Sequence, residues 1–303
     1  MLRIIFGILF IALATVGHAQ TLGGPAQDNF YVNIGSLTSA PNLDDNAVSQ
    51  TASQVIDITK TNLILLVAGQ SLKVNVAPSV YSPANASSIF QINIYNGKIY
   101  PAGDPLLGTT TGAGLGPGNP MTRVADTIVT NASFQRVYVE DFAVGNTAVA
   151  DWQTGVESPL IPVAVLRLKS KGINCGTTNI KCVFIWDQGP NDTTLGTSQA
   201  AYTTSLTAVL AQLTATGFSG HVYIAEDTYN ATTTSAGIQA AQASFVNGTT
   251  VFAAENVDAL VGSVCGAGLN LACRNSTDHI HWTDAGSLTD AAALVTKLNA
   301  GGF

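Results

Sequence analysis

Ser71 stands just after an apolar run at residues 62–68, in the block Gly69-Gln70-Ser71, where a strand would hand the chain to a turn. A serine hydroxyl placed there can attack an acyl carbon, provided that a base takes its proton as the new bond forms. That base is nearly always histidine, and the chain has four. His18 belongs to the N-terminal leader and His221 opens an expected buried strand, which leaves His279 and His281. Asp278 precedes His281 by three residues. In a tight loop that spacing lets the carboxylate bind the Nδ1 proton, orient the ring and stabilise the imidazolium. His279, adjacent to Asp278, is expected to point elsewhere. The motif D-x-x-H is weak by itself, and Ser71 alone could be a helix N-cap, so the case rests on the surrounding blocks.

Acyl transfer also needs donors for the oxyanion of the tetrahedral intermediate. Open α/β sheets place their sites at the carboxyl ends of strands, which selects Gly145-Asn146-Thr147 and Asp187-Gln188-Gly189-Pro190-Asn191-Asp192 beside the serine block. The backbone N–H groups of Ser71 and Gly145 and the side-chain amide of Asn191 are the expected donors. Gln70, Gln188 and Asp192 are expected to brace the site, with Gln188 open as a further donor.

The elements that must position these residues follow from apolar patterning. The run at 62–68 is continuous and bounded by polar residues, as in a parallel strand covered on both faces. Similar runs at 136–140, 162–166, 181–186, 221–225 and 259–264 are expected to be strands. Between them lie amphipathic helices. One starts at Asn119-Pro120, and one spans 198–216 with Tyr202, Leu206, Val209, Leu210 and Leu213 on one face and Gly217 as its stop. The last helix carries Leu288, Ala292, Val295 and Leu298 on one stripe. Strands alternating with helices predict a three-layer α/β fold, in one domain over 61–303.

The chain opens with Arg3, an apolar stretch and then Gly17-His18-Ala19, which reads as a signal peptide over 1–19, followed by a polar extension over 20–60 with one edge strand expected at 30–34. A secreted or periplasmic location follows. Cys175, Cys182, Cys265 and Cys273 then read as two disulfides, and sequence proximity favours 175 with 182 and 265 with 273, one of three possible pairings. The net charge of −7 argues against nucleic acid as a partner. No segment suits a membrane span, and the types and spacing of Asp187, Asp192 and His281 fit no zinc or calcium pattern, so neither metal nor cofactor is expected. Trp152 and Trp186 are expected in the core. The Thr/Gly run at 108–118 could be a wall of the site or a surface loop. The sequons at Asn85, Asn131, Asn191, Asn230, Asn247 and Asn275 read as chance in an Asn/Thr-rich chain.

These blocks, in this order, resemble the SGNH or GDSL-like hydrolase superfamily, and within it the carbohydrate acetylesterase branch that includes sialate O-acetylesterases and acetylxylan esterases. Gly69-Gln70-Ser71, Gly145-Asn146-Thr147 with Trp152, Trp186-Asp187-Gln188-Gly189-Pro190 and Asp278 to His281 carry the likeness, which spans roughly 62–298. Asp104-Pro105-Leu106, the glycines of 114–118 and Ile238-Gln239-Ala240-Ala241-Gln242 add to it. The resemblance implies a flavodoxin-like α/β/α sandwich with a mainly parallel, five-stranded sheet. It also implies a secreted serine esterase acting on acetyl esters of carbohydrates through Ser71, His281 and Asp278. A lipase or thioesterase of the same superfamily, or a non-catalytic carbohydrate-binding protein, are the alternatives. Leu72 departs from the branch's usual Asn, Asp187 from its His, and Pro190-Asn191 from its Glu-Ser type pair. The last change produces Gly189-Pro190-Asn191-Asp192, the G-x-N-D pattern of the wider superfamily, which favours Asn191 over Gln188 as oxyanion donor.

Overall fold

In the computed structural model, residues 55–109, 116–266 and 272–302 are described. The expected leader, the strand at 30–34 and most of the Thr/Gly run lie outside them. The strands are β1 (Asn62–Gly69), β2 (Ile89–Ile92), β3 (Ile99–Pro101), β4 (Arg136–Asp141), β5 (Ile180–Asp187), β6 (His221–Glu226) and β7 (Val251–Asn256). The helices are α1 (Pro120–Thr130), α2 (Val149–Thr154), α3 (Leu160–Ser170), α4 (Pro190–Leu195), α5 (Gln199–Ala215), α6 (Ala236–Ser244) and α7 (Asp284–Ala300). No helix among the described residues is long and apolar enough to cross a membrane.

One sheet holds all seven strands, in the order β3-β2-β4-β1-β5-β6-β7. Every pairing is parallel except β2 with β3. The expected α/β architecture is present, but with seven strands in place of five. Side chains of β1 alternate between two cores. Ile64, Leu66 and Ala68 pack with α2, α3, α5 and α6, whereas Leu63, Leu65 and Val67 pack with α1 and α7. With β1 fully buried on both faces, residues 63–68 had to be a continuous apolar run, and the buried Asn62 before them donates its amide to the Asp57 and Lys60 carbonyls.

Two expected strands are something else. Residues 162–166 lie inside α3, which buries Leu160, Ile161, Val163, Ala164, Val165, Arg167 and Leu168. A helix covered nearly all round shows the same unbroken apolar run as a central strand, and Pro162 is tolerated because N–H groups in the first turn have no intrahelical partner. Residues 259–264 fall across two 3₁₀ turns, Val257–Ala259 and Gly262–Cys265. There the Asn256 side chain caps the first turn by accepting from the Ala259 N–H, and Gly262 adopts a φ of 58°. The true last strand, β7, sits at the sheet edge with Val251 and Phe252 only half-buried, so its apolar pattern is broken. The stripe on α7 also differs. Ala291, Leu294, Val295 and Leu298 are buried, while Leu288 and Ala292 face solvent.

Other local expectations hold. Asn119 caps α1 by accepting from the Met121 N–H at 2.8 Å, and Ser198 caps α5 by accepting from Ala201 at 3.2 Å. Trp152 and Trp186 are fully buried and meet edge to face at 5.6 Å. Both disulfides join neighbours in sequence, Cys175 with Cys182 and Cys265 with Cys273.

Gly69 permits the closest approach in the sheet. Its φ is 144°, and a Cβ there would stand 1.9 Å from the Asp187 carbonyl oxygen. Gly69→Ala is therefore expected to destabilise the protein by about 3 kcal/mol or more, measured by urea unfolding. A loss below about 1 kcal/mol would mean that β1 and β5 can separate at little cost.

Candidate active site

The serine turn begins where β1 ends. The Gln70 N–H donates to the Asp187 carbonyl at 2.9 Å, and the Lys73 N–H closes the turn onto the Gln70 carbonyl at 3.1 Å. Ser71 sits at the apex, with 7% of its surface exposed. Gln70 points inward, and its Oε1 accepts from the N–H groups of Gly189 at 3.4 Å and Asn191 at 3.3 Å. One side chain thus fastens the serine turn to the loop after β5.

The histidine loop is built by successive side-chain caps. Asn275 Oδ1 accepts from the Thr277 and Asp278 N–H groups, both at 2.9 Å. Asp278 Oδ1 then accepts from Ile280 at 2.8 Å and His281 at 3.0 Å. His279 between them takes a left-handed φ of 60° and is exposed, as its adjacency to Asp278 led us to expect. Asp278 Oδ2 lies 2.7 Å from His281 Nδ1. Burial works to raise the Asp278 carboxyl, but the hydrogen bonds from the His281 ring and from the His281 and Ile280 N–H groups outweigh it and hold it at about 2. A carboxylate can only accept, so Nδ1 carries the proton and Nε2 is the basic atom. Nε2 is buried and has no hydrogen-bond partner among the described residues.

Ser71, Gly145, Asn191 and His281 line one cavity of about 380 Å³ at the carboxyl ends of the strands. Among the described residues, the backbone N–H groups of Ser71 and Gly145 take no acceptor. Asn191 Nδ2 donates one hydrogen to the Asn146 carbonyl at 3.0 Å, and its second hydrogen remains to donate. Gln188 is different. It is fully buried outside the cavity lining, and its Nε2 faces three acceptors, Asp192 Oδ2, the Thr147 carbonyl and Gln70 Oε1. Asp192 also lies behind the wall, where its carboxylate accepts from Val149 N–H at 2.8 Å and Thr197 Oγ1 at 2.7 Å.

Gln70, Asn146, Pro190 and Ile280, which stand in the blocks that the sequence selects, also line the cavity, whereas Thr194 and Asn230 were missed as lining residues. Asn230 follows β6, so the same rule of strand ends applied once more would have reached it. The two described ends of the Thr/Gly run lie outside the cavity lining, Thr109 accepting from the Asn75 amide and Gly118 pairing with Ala77.

Beneath the serine turn lies a wholly buried ionic cluster. Lys73 Nζ is 2.7 Å from Glu255 Oε1, 2.7 Å from Asp290 Oδ2 and 2.9 Å from Asp187 Oδ2, with all four side chains inaccessible. Burial alone would lower the Lys73 ammonium, yet the three carboxylates raise it well above its ordinary value. The acids outnumber the cations, and burial raises several of them. Burial raises Asp290, and burial with the neighbouring Asp187 raises Asp227 far above the carboxylate range. Burial lifts Glu255 to about 7 and the nearby Asp141 to about 8.

The fold resembles known structures although the sequence matches little. No protein-family profile matches the chain, and neither does any curated protein. A protein from Arabidopsis thaliana, 16% identical, covers 79% of this chain and 98% of its own length with a TM-score of 0.57. A carbohydrate acetylesterase from Xanthomonas citri, 14% identical, aligns over 78% of this chain and 55% of its own, with a TM-score of 0.48. A mutant acetyl esterase bound to an acetate ion, 11% identical, covers 79% and 97%, with a TM-score of 0.42. The Arabidopsis likeness establishes a shared fold, and the other two overlays are too loose to carry an argument.

The buried acids make stability depend on pH. Folding raises their pKa values, so the folded protein keeps protons that the unfolded chain releases near about pH 4. That stabilisation is complete below the unfolded values and is lost as pH rises through the folded ones, about 7 for Glu255 and about 8 for Asp141. Asp278 acts oppositely, its contribution disappearing as pH falls through about 2. The thermal midpoint is expected to be higher at pH 5 than at pH 8.5, with a smaller difference in Glu255→Gln. Calorimetry across that range checks this, and a midpoint that climbs with pH would contradict it.

Proposed function

We propose that this chain is an exported serine esterase in which Ser71 is the nucleophile and His281 its general base. The observation that carries the reading is the state of His281. Its Nδ1 is committed to Asp278, its Nε2 has no partner among the described residues, and His281 lines the same cavity as Ser71. In the absence of substrate such catalytic hydrogen bonds are often long or unformed, and they tighten as the acyl group binds.

The reaction then runs in two steps. Ser71 Oγ bonds to the acyl carbon as its proton passes to Nε2, and the N–H groups of Ser71 and Gly145 with the Asn191 amide receive the oxyanion. The carbon–oxygen bond to the alcohol breaks, and Nε2 protonates the leaving oxygen. Water, deprotonated by the same nitrogen, attacks the acyl-enzyme, and collapse of the second intermediate returns the proton to Oγ as the carboxylic acid leaves. Gln70 in the cavity wall, and Gln188 and Asp192 behind it, hold the Asn191 loop in place.

Two features support an acetyl ester of a carbohydrate as substrate. Beside apolar surface such as Pro190 and Ile280, the cavity wall carries amide and hydroxyl groups from Asn146, Asn191, Thr194 and Asn230, which suit a hydroxylated alcohol. The ordered blocks that resemble the acetylesterase branch point the same way. Export is supported by the sequence of residues 1–19, which reads as a signal peptide, and by two disulfides with no free cysteine among the described residues.

Assays on p-nitrophenyl acetate, butyrate and octanoate test the proposal. The expected order is acetate first, with Ser71→Ala and His281→Ala each losing about a thousandfold or more in kcat/KM and Asn191→Ala losing about 10²–10³ in kcat. His279→Ala is expected to retain activity. Activity surviving in Ser71→Ala would end the mechanism, and a preference for octanoate would favour a lipase.

A further inference from the structure

Ser71 and His281 approach from opposite ends of the chain, and two direct links join their loops. Trp282, next to His281, is wholly buried, and its indole Nε1 donates to the carbonyl of Leu72, next to Ser71, at 3.2 Å. Lys73, the following residue, reaches Asp290 in α7, the helix that starts at Asp284 just beyond the histidine loop, at 2.7 Å. The two residues that follow the serine are therefore tied to the segment that follows the histidine.

The indole is itself held. The Arg274 guanidinium lies 3.8 Å over its ring. The same guanidinium donates to the Ile280 carbonyl at 2.7 Å, on the other side of His281, and to the Val257 and Leu260 carbonyls at 2.9 Å and 3.0 Å. Residues 280 and 282 thus have fixed positions, and His281 is carried between them. With Nε2 unpartnered, no bond from the serine sets the distance between nucleophile and base. The scaffold behind them must do so.

We propose that Trp282 is a positioning residue, whose indole N–H bond to the Leu72 carbonyl sets the spacing of Ser71 from His281, with the Lys73–Asp290 pair as a second link. The proposal rests on the serine esterase reading above. A misplacement of about 1 Å between reacting groups can cost about a hundredfold in rate, so loss of a link should appear in catalysis more than in binding. Phenylalanine at 282 retains an aromatic ring for Arg274 to stack on and removes the donor. Asparagine at 290 keeps an acceptor for Lys73 and removes the charge.

The test compares wild type, Trp282→Phe, Asp290→Asn and Ser71→Ala on p-nitrophenyl acetate, with sites counted by fluorophosphonate titration so that kcat refers to competent molecules only. Expected for Trp282→Phe is a fall of about 10–100-fold in kcat per titrated site, KM within about twofold, and a matching fall in the rate of phosphonylation. A smaller fall of the same kind is expected for Asp290→Asn, which carries the test if Trp282→Phe does not fold. Unchanged kcat per titrated site in the folded variants, or a change confined to KM or thermal midpoint, overturns the positioning role while leaving the esterase reading intact. Hydrolysis that survives Ser71→Ala overturns both.

Discussion

An ammonium group with no exposed surface has to be matched by negative charge from whatever packs around it, and Lys73 is matched from three directions. Asp187 closes β5, Glu255 is the last residue but one of β7 and Asp290 lies on α7. Breaking such a buried arrangement by removing one partner costs about 3–5 kcal/mol, far more than a surface pair is worth. The ends of two strands and the last helix are therefore drawn to one point, two residues past Ser71. Seen this way, β7 belongs to the site end of the molecule although it is an edge strand, because it brings Glu255.

The same constraint divides the carboxyl groups into two populations with opposite behaviour. Asp278 is partly exposed and surrounded by N–H donors, so it stays ionised and suited to hold an imidazolium. The acids around Lys73 are dry and crowded, so burial raises Glu255 to about 7 and Asp290 above its ordinary value. Two departures from the acetylesterase pattern also find a place here. Asp187, where that branch has a histidine, turns into the ionic cluster and away from the cavity. Leu72, where the branch has asparagine, buries its side chain and offers its carbonyl to Trp282.

What was legible in the sequence was local. Asn119-Pro120 and Ser198 announce helices because a cap acts within three residues of itself, and Asp278 with His281 announces a turn for the same reason. The rule of strand ends found Gly145 and Asn191, because the position of a block after a strand also places it in space. Residues 162–166 read as a strand because burial nearly all round erases the periodicity that separates a helix from a strand. Leu288 was misread because one exposed leucine fits a helical stripe as well as a buried one does. The links that join the site were beyond local reading. Lys73 meets Glu255 and Asp290 across separations of 182 and 217 residues, and Trp282 meets Leu72 across 210. Nothing in the composition of one segment reports the other.

The central claim is that the Ser71 hydroxyl becomes a nucleophile inside this scaffold. The most direct measurement is mass spectrometry of the protein quenched with acid during turnover of a p-nitrophenyl ester, with peptide mapping of any acyl group retained. The expected result is a single acyl group, on Ser71, absent from Ser71→Ala and accumulating when water is made scarce. An acyl group on another residue, or turnover with no covalent species trapped at any stage, would contradict it.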